Sequence, residues 1–136
     1  MELYDLALSD NGSSVLFTRA SPIHGHGLFT NEQIPSGTIL CRRLGLRTAL
    51  SLRDKRAILG IDGLAPATST DHIFKNINHS CHPNAWLNDT GCLISTEVLL
   101  YETEITVDYN VLLAGSNWQT SCNCGSENCR GIIQAL

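Results

Sequence analysis

The stretch "NHSCHPN", residues 78–84, sets two histidines, a cysteine and a proline between two asparagines. Three interpretations are open for it: a metal site, a cysteine nucleophile with a histidine base, or a polar turn. Cysteine and histidine side chains serve in the first two, and asparagine with proline is typical of the third. The other cysteines of the chain help to decide between them.

A C-terminal cysteine cluster, in "CNCGSENCRG" at residues 122–131, has the spacing C-x-C-x4-C: Cys122, Cys124 and Cys129. Three thiolates so close in sequence can converge on one tetrahedral Zn2+, which normally takes four protein ligands at a structural site. The spacing therefore predicts three of the four ligands of a zinc site. If zinc binds there, the chain from residue 122 onward depends on it for its fold, because this segment holds little apolar surface.

The fourth ligand must come from elsewhere, and the candidates are Cys81, Cys92, Cys41 or a histidine. Cys81 is favoured because it lies in a polar loop that can bend around a metal. Cys41 and Cys92 lie in or beside strand-like runs, so both are expected to be small buried side chains.

The amino-acid composition limits the classes of protein to which the chain can belong. The 136 residues suffice for one domain, and 43% hydrophobic with 16% charged residues argues against a disordered tail or a nucleic-acid-binding arm. The N-terminal "MELYDLALSDNG" has no basic region, and no stretch approaches the roughly 20 apolar residues of a membrane span. A soluble, intracellular protein without membrane contact is expected, in which the cysteines are metal ligands, catalytic thiols or core residues rather than disulfides.

Hydrophobic patterning predicts a mainly β domain with long connections. Short strand-like runs bounded by turn residues lie at 13–20, 28–30, 38–44, 72–77, 84–88, 92–101 and 104–109. The one convincing helix is "SLRDKRAIL", residues 51–59, with Ser51 as N-cap and Gly60 as terminator. Leu52, Ile58 and Leu59 fall near one face of that helix, and "IDGLAPATSTD", residues 61–71, is predicted to be a loop.

Four motifs in a particular order resemble those of the SET-domain protein lysine methyltransferases. They are "HGHGLF" at 24–29, "NHSCHPN" at 78–84, "EITVDY" at 104–109 and "CNCGSENCRG" at 122–131. The resemblance runs from about Ser14 to Gly131, with no match over about 44–75. It implies a SET domain at 14–115, with small curved β-sheets and a C-terminal pseudoknot that brings 78–81 beside 104–109. A zinc-bound post-SET segment follows at 116–136.

The resemblance also implies roles for individual residues. Tyr109 is the expected catalytic residue, directing its hydroxyl at the reacting centre, and Cys81 is expected to complete the zinc site. S-adenosylmethionine is expected to contact His24, Gly25, His26, Gly27, Asn78, His79, Tyr109 and Ile132. In that set the two histidines of the glycine turn act through their backbone, and Ile132 is an apolar lid. Asp108 and Glu104 are expected to take structural hydrogen bonds.

The sequence departs from the family pattern at two places. Val107 stands where an aromatic residue is frequent, so more than one methyl group is permitted on steric grounds. The frequent Tyr-x-Gly is replaced by "RRLGLR" at 42–47. Tyr101 is a candidate for a second hydroxyl in the lysine channel, and Trp118 for the substrate entrance or for packing beneath the zinc segment.

The predicted function is a protein-lysine N-methyltransferase that uses S-adenosylmethionine and contains zinc. Its expected partner is a protein that presents a lysine, and the formal charge of −4 favours a basic, histone-like tail. No direct nucleic-acid contact is expected, and a homodimer that completes the substrate groove is a further hypothesis. The alternative is a catalytically silent, zinc-stabilised module that binds a peptide without modifying it.

Overall fold

The computed structural model describes residues 4–8, 14–43, 48–61 and 72–136. Most of the loop predicted at 61–71, and part of "RRLGLR", lie outside these residues. In chain order the strands are β1 Tyr4–Leu6, β2 Leu16–Ala20, β3 His26–Thr30, β4 Ile39–Arg43, β5 Asn78–His79, β6 Ala85–Leu87, β7 Cys92–Ser95, β8 Glu104–Val107, β9 Thr120–Ser121 and β10 Ile132–Ile133. The helices are α1 Leu52–Leu59 and α2 His72–Lys75, and a 3-10 turn spans Asn110–Leu112.

The strands form three small sheets, which confirms the mainly β prediction. One sheet has the order β1-β4-β7-β6, the second has β2-β3-β8-β5, and β9 pairs with β10. The pairs are antiparallel except for β5 and β8, which run parallel, with Asn78 opposite Thr106 and His79 opposite Val107. This parallel pair brings residues 78–79 beside 106–107, the juxtaposition that the predicted pseudoknot requires; the threading itself stays a prediction.

Helix α1 begins and ends where the sequence predicts. The Ser51 hydroxyl accepts from the Asp54 amide at 3.0 Å, and the Asp54 carboxylate accepts from the Ser51 amide at 2.9 Å, which is a capping box. Gly60 ends the helix in the left-handed region at φ 71°. Of the three apolar residues predicted near one face, Ile58 and Leu59 are buried, whereas Leu52 in the first turn is 38% exposed.

Two cationic side chains, Lys55 and Arg56, are buried on α1 beside Ile58 and Leu59. Their burial is tolerated because each has a polar partner. Lys55 pairs with Asp89 at 2.6 Å, and Arg56 donates to the Leu112 carbonyl at 2.8 Å. The second contact fastens the helix to the 3-10 turn that follows residue 109.

The strand predicted at 72–77 is wrong: residues 72–75 form the short helix α2. The amides of Asn76 and Ile77 close its end by donating to the carbonyls of Ile73 and Phe74. Phe74 and Ile77 are fully buried. Their burial in the core overrides the strand preference of this aromatic and β-branched sequence.

The core lies between the two four-stranded sheets and α1. Leu28, Leu40, Leu93 and Ile105 are fully buried there. Cys41 and Cys92 are also buried, as expected for small apolar side chains. Among the described residues, no helix is long and apolar enough to cross a membrane.

Candidate functional site

A pocket of about 350 Å³ lies where the end of α1, strand β5, Tyr109 and the C-terminal strands β9 and β10 meet. Its walls include the predicted cofactor and substrate residues His24, Asn78, His79, Tyr109 and Trp118. These residues come from three separate motifs and from the link between β8 and the cysteine cluster.

Tyr109 lies two residues beyond the end of β8, and its phenol donates a hydrogen bond to the Ile77 carbonyl. Burial, with a smaller contribution from the charge of Glu104, raises the pKa of Tyr109 well above its ordinary value. The phenol therefore stays neutral, and its O–H is used in the hydrogen bond to Ile77. Toward a ligand, the phenol oxygen can act as a hydrogen-bond acceptor.

The imidazole of His79 is buried, and both of its nitrogens contact the protein itself. Nδ1 accepts from the Tyr109 amide at 2.9 Å, and Nε2 lies 3.3 Å from Sγ of Cys81. Burial lowers the pKa of His79, although the nearby Asp108 carboxylate acts in the opposite direction. The ring nitrogens are thus occupied within the chain, and a ligand of this residue would meet its main chain or the ring surface.

The Asn78 amide holds the glycine turn in place. Its Nδ2 donates to the carbonyls of His24 at 3.0 Å and His26 at 3.1 Å, and to Oε2 of Glu104 at 2.9 Å. Glu104 also accepts from the Ser21 hydroxyl at 2.8 Å, so it makes the structural hydrogen bonds expected of it. Asn78 and Glu104 together anchor the loop at residues 21–27.

The two glycines of this loop serve different needs. Gly25 adopts φ 46°, a conformation that other residues rarely take. Gly27 has no such φ, but a Cβ at this position would overlap the carboxylate of Glu104. Neither glycine, nor the exposed His26, lines the pocket; their contact with a cofactor stays a prediction.

Four cysteines converge beside the pocket: Cys81, Cys122, Cys124 and Cys129. All four sulfurs lie within 4.8 Å of one another, and those of Cys81 and Cys122 are 3.7 Å apart. Tetrahedral zinc with Zn–S bonds of about 2.3 Å sets its sulfurs about 3.8 Å apart. The four sulfurs are therefore close enough together to share one tetrahedral zinc ion, and they belong to the four cysteines that the sequence names as candidate ligands.

Two thiols of this four-sulfur cluster have pKa values that are shifted in opposite directions. Burial raises the pKa of Cys122 to about 12. Burial acts in the same direction on Cys124, but hydrogen bonds from the Ser126 hydroxyl and the Cys81 amide outweigh it and lower that pKa to about 5. Four thiolates so close together repel one another, and a divalent cation supplies the charge that stabilises them.

Arg130 connects the four-sulfur cluster to the residues on either side of Tyr109. Its amide donates to Sγ of Cys81 at 3.3 Å. Its guanidinium contacts both carboxylate oxygens of Asp108, at 3.2 and 3.1 Å, and Oδ1 of Asn110 at 3.1 Å. This two-pronged geometry is the arrangement that arginine favours with carboxylates.

The other predicted site residues take varied positions. Trp118 lines the pocket and also packs against the core. Val107 is buried in β8, and Tyr101 is 65% exposed on a turn. The structure does not bring these two into the pocket walls. Ile132 also lies outside them, and Ile133 lines the pocket instead, since adjacent residues of a strand point to opposite sides.

Sequence reasoning missed several pocket residues. Leu59, Gly60 and Ile61 line one wall at the end of α1, and Lys75 adds a cation from α2. Gly60 was recognisable as a helix terminator, but no local pattern indicated which side of that terminus a ligand would meet. Lys75 was hidden by the strand prediction for its segment.

Residues 25–110 match the model of the family described as SET domain. Among curated proteins, the chain is similar to human histone-lysine N-methyltransferase SETD1B, with 30% identity over 83% of this chain and 7% of the relative. It is also similar to human histone-lysine N-methyltransferase 2B, with 28% identity over 83% of this chain and 5% of the relative. The chain thus spans a small fraction of the length of these relatives.

Solved structures that share the fold include KRYPTONITE and the SETMAR methyltransferase domain. KRYPTONITE in complex with mCHG DNA and SAH superposes with a TM-score of 0.63 at 24% identity, covering 87% of this chain and 28% of that one. The methyltransferase domain of human histone-lysine N-methyltransferase SETMAR gives a TM-score of 0.59 at 19% identity, covering 95% of this chain and 61% of that one.

Proposed function

Since the chain belongs to the SET-domain family, we propose that it transfers a methyl group from S-adenosylmethionine to a lysine side chain of another protein. The observation that carries the proposal is the meeting of Tyr109, Asn78 and His79 in one pocket next to a four-sulfur cluster. When bound, S-adenosylmethionine supplies an electrophilic methyl group on a sulfonium: the lysine amine bonds to the methyl carbon as the C–S bond breaks in line, and the neutral thioether leaves. The chain's own contributions are alignment, exclusion of water and placement of charge.

The pocket suits such a ligand in size and chemistry. Leu59, Trp118 and Ile133 provide apolar surface for a flat base, whereas Lys75 provides a positive charge for a carboxylate. The backbone of His24, held by Asn78, would contribute polar contacts at the mouth. The proposed cofactor residues are those that line this pocket, with Ile133 rather than Ile132 as the apolar lid.

Tyr109 is proposed to orient the substrate amine. Because the phenol donates its hydrogen bond to the Ile77 carbonyl, the phenol oxygen is left to accept a hydrogen bond from an N–H of the incoming amine. The raised pKa makes the phenolate scarce at neutral pH, so Tyr109 acts by positioning rather than as a base. The lysine, whose ordinary pKa is near 10.4, must lose its proton before transfer, and an apolar channel would favour that loss.

The zinc site is proposed to be structural. Cys81, Cys122, Cys124 and Cys129 would hold one metal ion with no position left for substrate. Its contribution is to fix the segment that bears Trp118 and Ile133 against β5. The boundary near residue 115 between a SET domain and this post-SET segment is part of the same proposal.

The substrate is proposed to be a basic, histone-like tail. The formal charge of −4 would attract basic partners weakly, and the relatives named above are histone-lysine methyltransferases. A homodimer that completes the substrate groove stays a hypothesis, which light scattering at working concentration tests.

The test is transfer of labelled methyl groups to histone-derived peptides, each paired with a copy in which lysine is replaced by arginine. We expect label only in the lysine peptides, and a loss of about 10²-fold or more in kcat for Tyr109→Phe. Calorimetry with S-adenosylhomocysteine on both proteins separates binding from chemistry. Peptide binding without cofactor binding or transfer would favour the silent peptide-binding module and contradict the proposal.

A further inference from the structure

His79 joins two parts of the site that lie far apart in the sequence. The residue is 3% exposed, so its ring has little freedom to move. One nitrogen contacts the main chain of Tyr109 at 2.9 Å, and the other lies 3.3 Å from the sulfur of Cys81. A single rigid ring therefore spans from the proposed catalytic residue to the proposed metal site.

The contact with Tyr109 determines which nitrogen of the neutral ring carries the proton. A backbone N–H can only donate, so Nδ1 must present its lone pair to Tyr109. The proton of the neutral imidazole then lies on Nε2, where it faces Sγ of Cys81. A donor aimed at a metal-ligating sulfur orients that ligand and tunes its affinity for the metal.

We propose that His79 is a positioning residue that couples the zinc site to Tyr109, donating Nε2–H to the Cys81 sulfur while Nδ1 accepts the Tyr109 amide. The role of Tyr109 in this inference rests on the proposed function, whereas the contact with sulfur rests on the cysteine geometry alone. Arg130 reinforces the link, because its amide donates to the same sulfur and its guanidinium contacts Asp108. Metal loading at Cys81 thereby influences the position of the phenol.

Two conservative variants separate the two ends of the ring. In His79→Asn the amide can replace Nδ1 as an acceptor, but nothing reaches the sulfur. In His79→Gln the amide nitrogen can replace Nε2 as a donor, but the Tyr109 amide loses its partner. We expect His79→Asn to lose zinc affinity by roughly 10- to 100-fold in a chelator competition, and His79→Gln to lose much less. With zinc saturating, kcat should fall further in His79→Gln, by about tenfold to 10²-fold, with little change in KM.

The wild-type protein supplies a readout that needs neither a variant nor methyl transfer. With 15N label and 113Cd in place of zinc, we expect scalar coupling between the metal and the His79 Nε2–H proton, and an unprotonated Nδ1. The Arg130 amide, which also donates to Cys81, is the internal positive control.

A coupling seen at Arg130 but absent at His79, or a proton found on Nδ1, would overturn the proposal. Equal loss of zinc affinity in the two variants would overturn it too. Absence of methyl transfer by the wild type would contradict the proposed function. It would not affect the test of the His79 proposal, which the cadmium NMR measurement decides independently.

Discussion

Asn78 donates its side-chain amide to Oε2 of Glu104 at 2.9 Å, although the two residues lie 26 positions apart in the chain. The same amide holds the carbonyls of His24 and His26, and the Ser21 hydroxyl contacts Glu104 from the other side. Parallel pairing of β5 with β8 makes this meeting possible. One carboxylate thus holds the loop that contributes Ile23 and His24 to the pocket walls.

Replacing Glu104 with glutamine should therefore destabilise the fold. Glutamine keeps one acceptor oxygen but turns the other into a donor, which faces the donors of Asn78 and Ser21. We expect urea unfolding to show a loss of about 1–3 kcal/mol. Glu97→Gln, at an exposed residue after β7, is the matched control, and an equal loss in both variants would contradict the anchoring role of Glu104.

The two tryptophans should report differently on cofactor binding. Trp118 lines the pocket, whereas Trp86 is 50% exposed on β6. Titration with S-adenosylhomocysteine should change the intrinsic fluorescence of wild type and of Trp86→Phe, and most of that change should be lost in Trp118→Phe. A response that disappears in Trp86→Phe instead would place the ligand elsewhere.

Removal of one cysteine should abolish metal binding only if its sulfur belongs to the four-sulfur cluster. Cys124→Ala should purify without stoichiometric zinc and should lose protection of residues 116–136 in hydrogen exchange. Cys92→Ala, a buried cysteine outside that cluster, should keep zinc despite some loss of core packing. Full zinc content in Cys124→Ala by elemental analysis would rule out the proposed ligand set.

High pH should destabilise the wild type more than Tyr109→Phe. The pKa of Tyr109 is raised in the folded state, whereas a tyrosine in the unfolded chain titrates near 10. Above that pH the unfolded state binds fewer protons than the native state, so the free energy of unfolding falls by at most about 1.4 kcal/mol per pH unit. Urea unfolding from pH 8 to 11 checks this, and parallel curves for the two proteins would show that the phenol is not buried.

Much of the fold and of the candidate site was predictable because some features depend only on residues that are close together in the sequence. Ser51 and Gly60 bracket α1 through capping chemistry that needs only neighbouring residues. The C-x-C-x4-C spacing similarly predicted that three cysteines converge, and the polar loop around Cys81 favoured it over Cys41 and Cys92 as the fourth; the structure brings these four together.

What the sequence did not reveal depends on tertiary contacts. Residues 72–75 carry strand-forming side chains, yet packing of Phe74 into the core makes them helical. Ile132 and Ile133 are chemically alike, and only the register of β10 on β9 decides which one faces the pocket. The roles of Asn78 and His79 as internal hydrogen-bonding residues follow from partners distant in the chain.

The most direct test of the central claim is an NMR titration of 15N-labelled, zinc-loaded protein with S-adenosylhomocysteine. The pocket assignment predicts saturable shifts at the amides of Gly60, Lys75, Ser121 and Ile133, and little change at Trp86 and Ile94, which lie in the sheet of β1, β4, β7 and β6. Shifts concentrated on that sheet, or none that saturate, would contradict the assignment of the cofactor to this pocket.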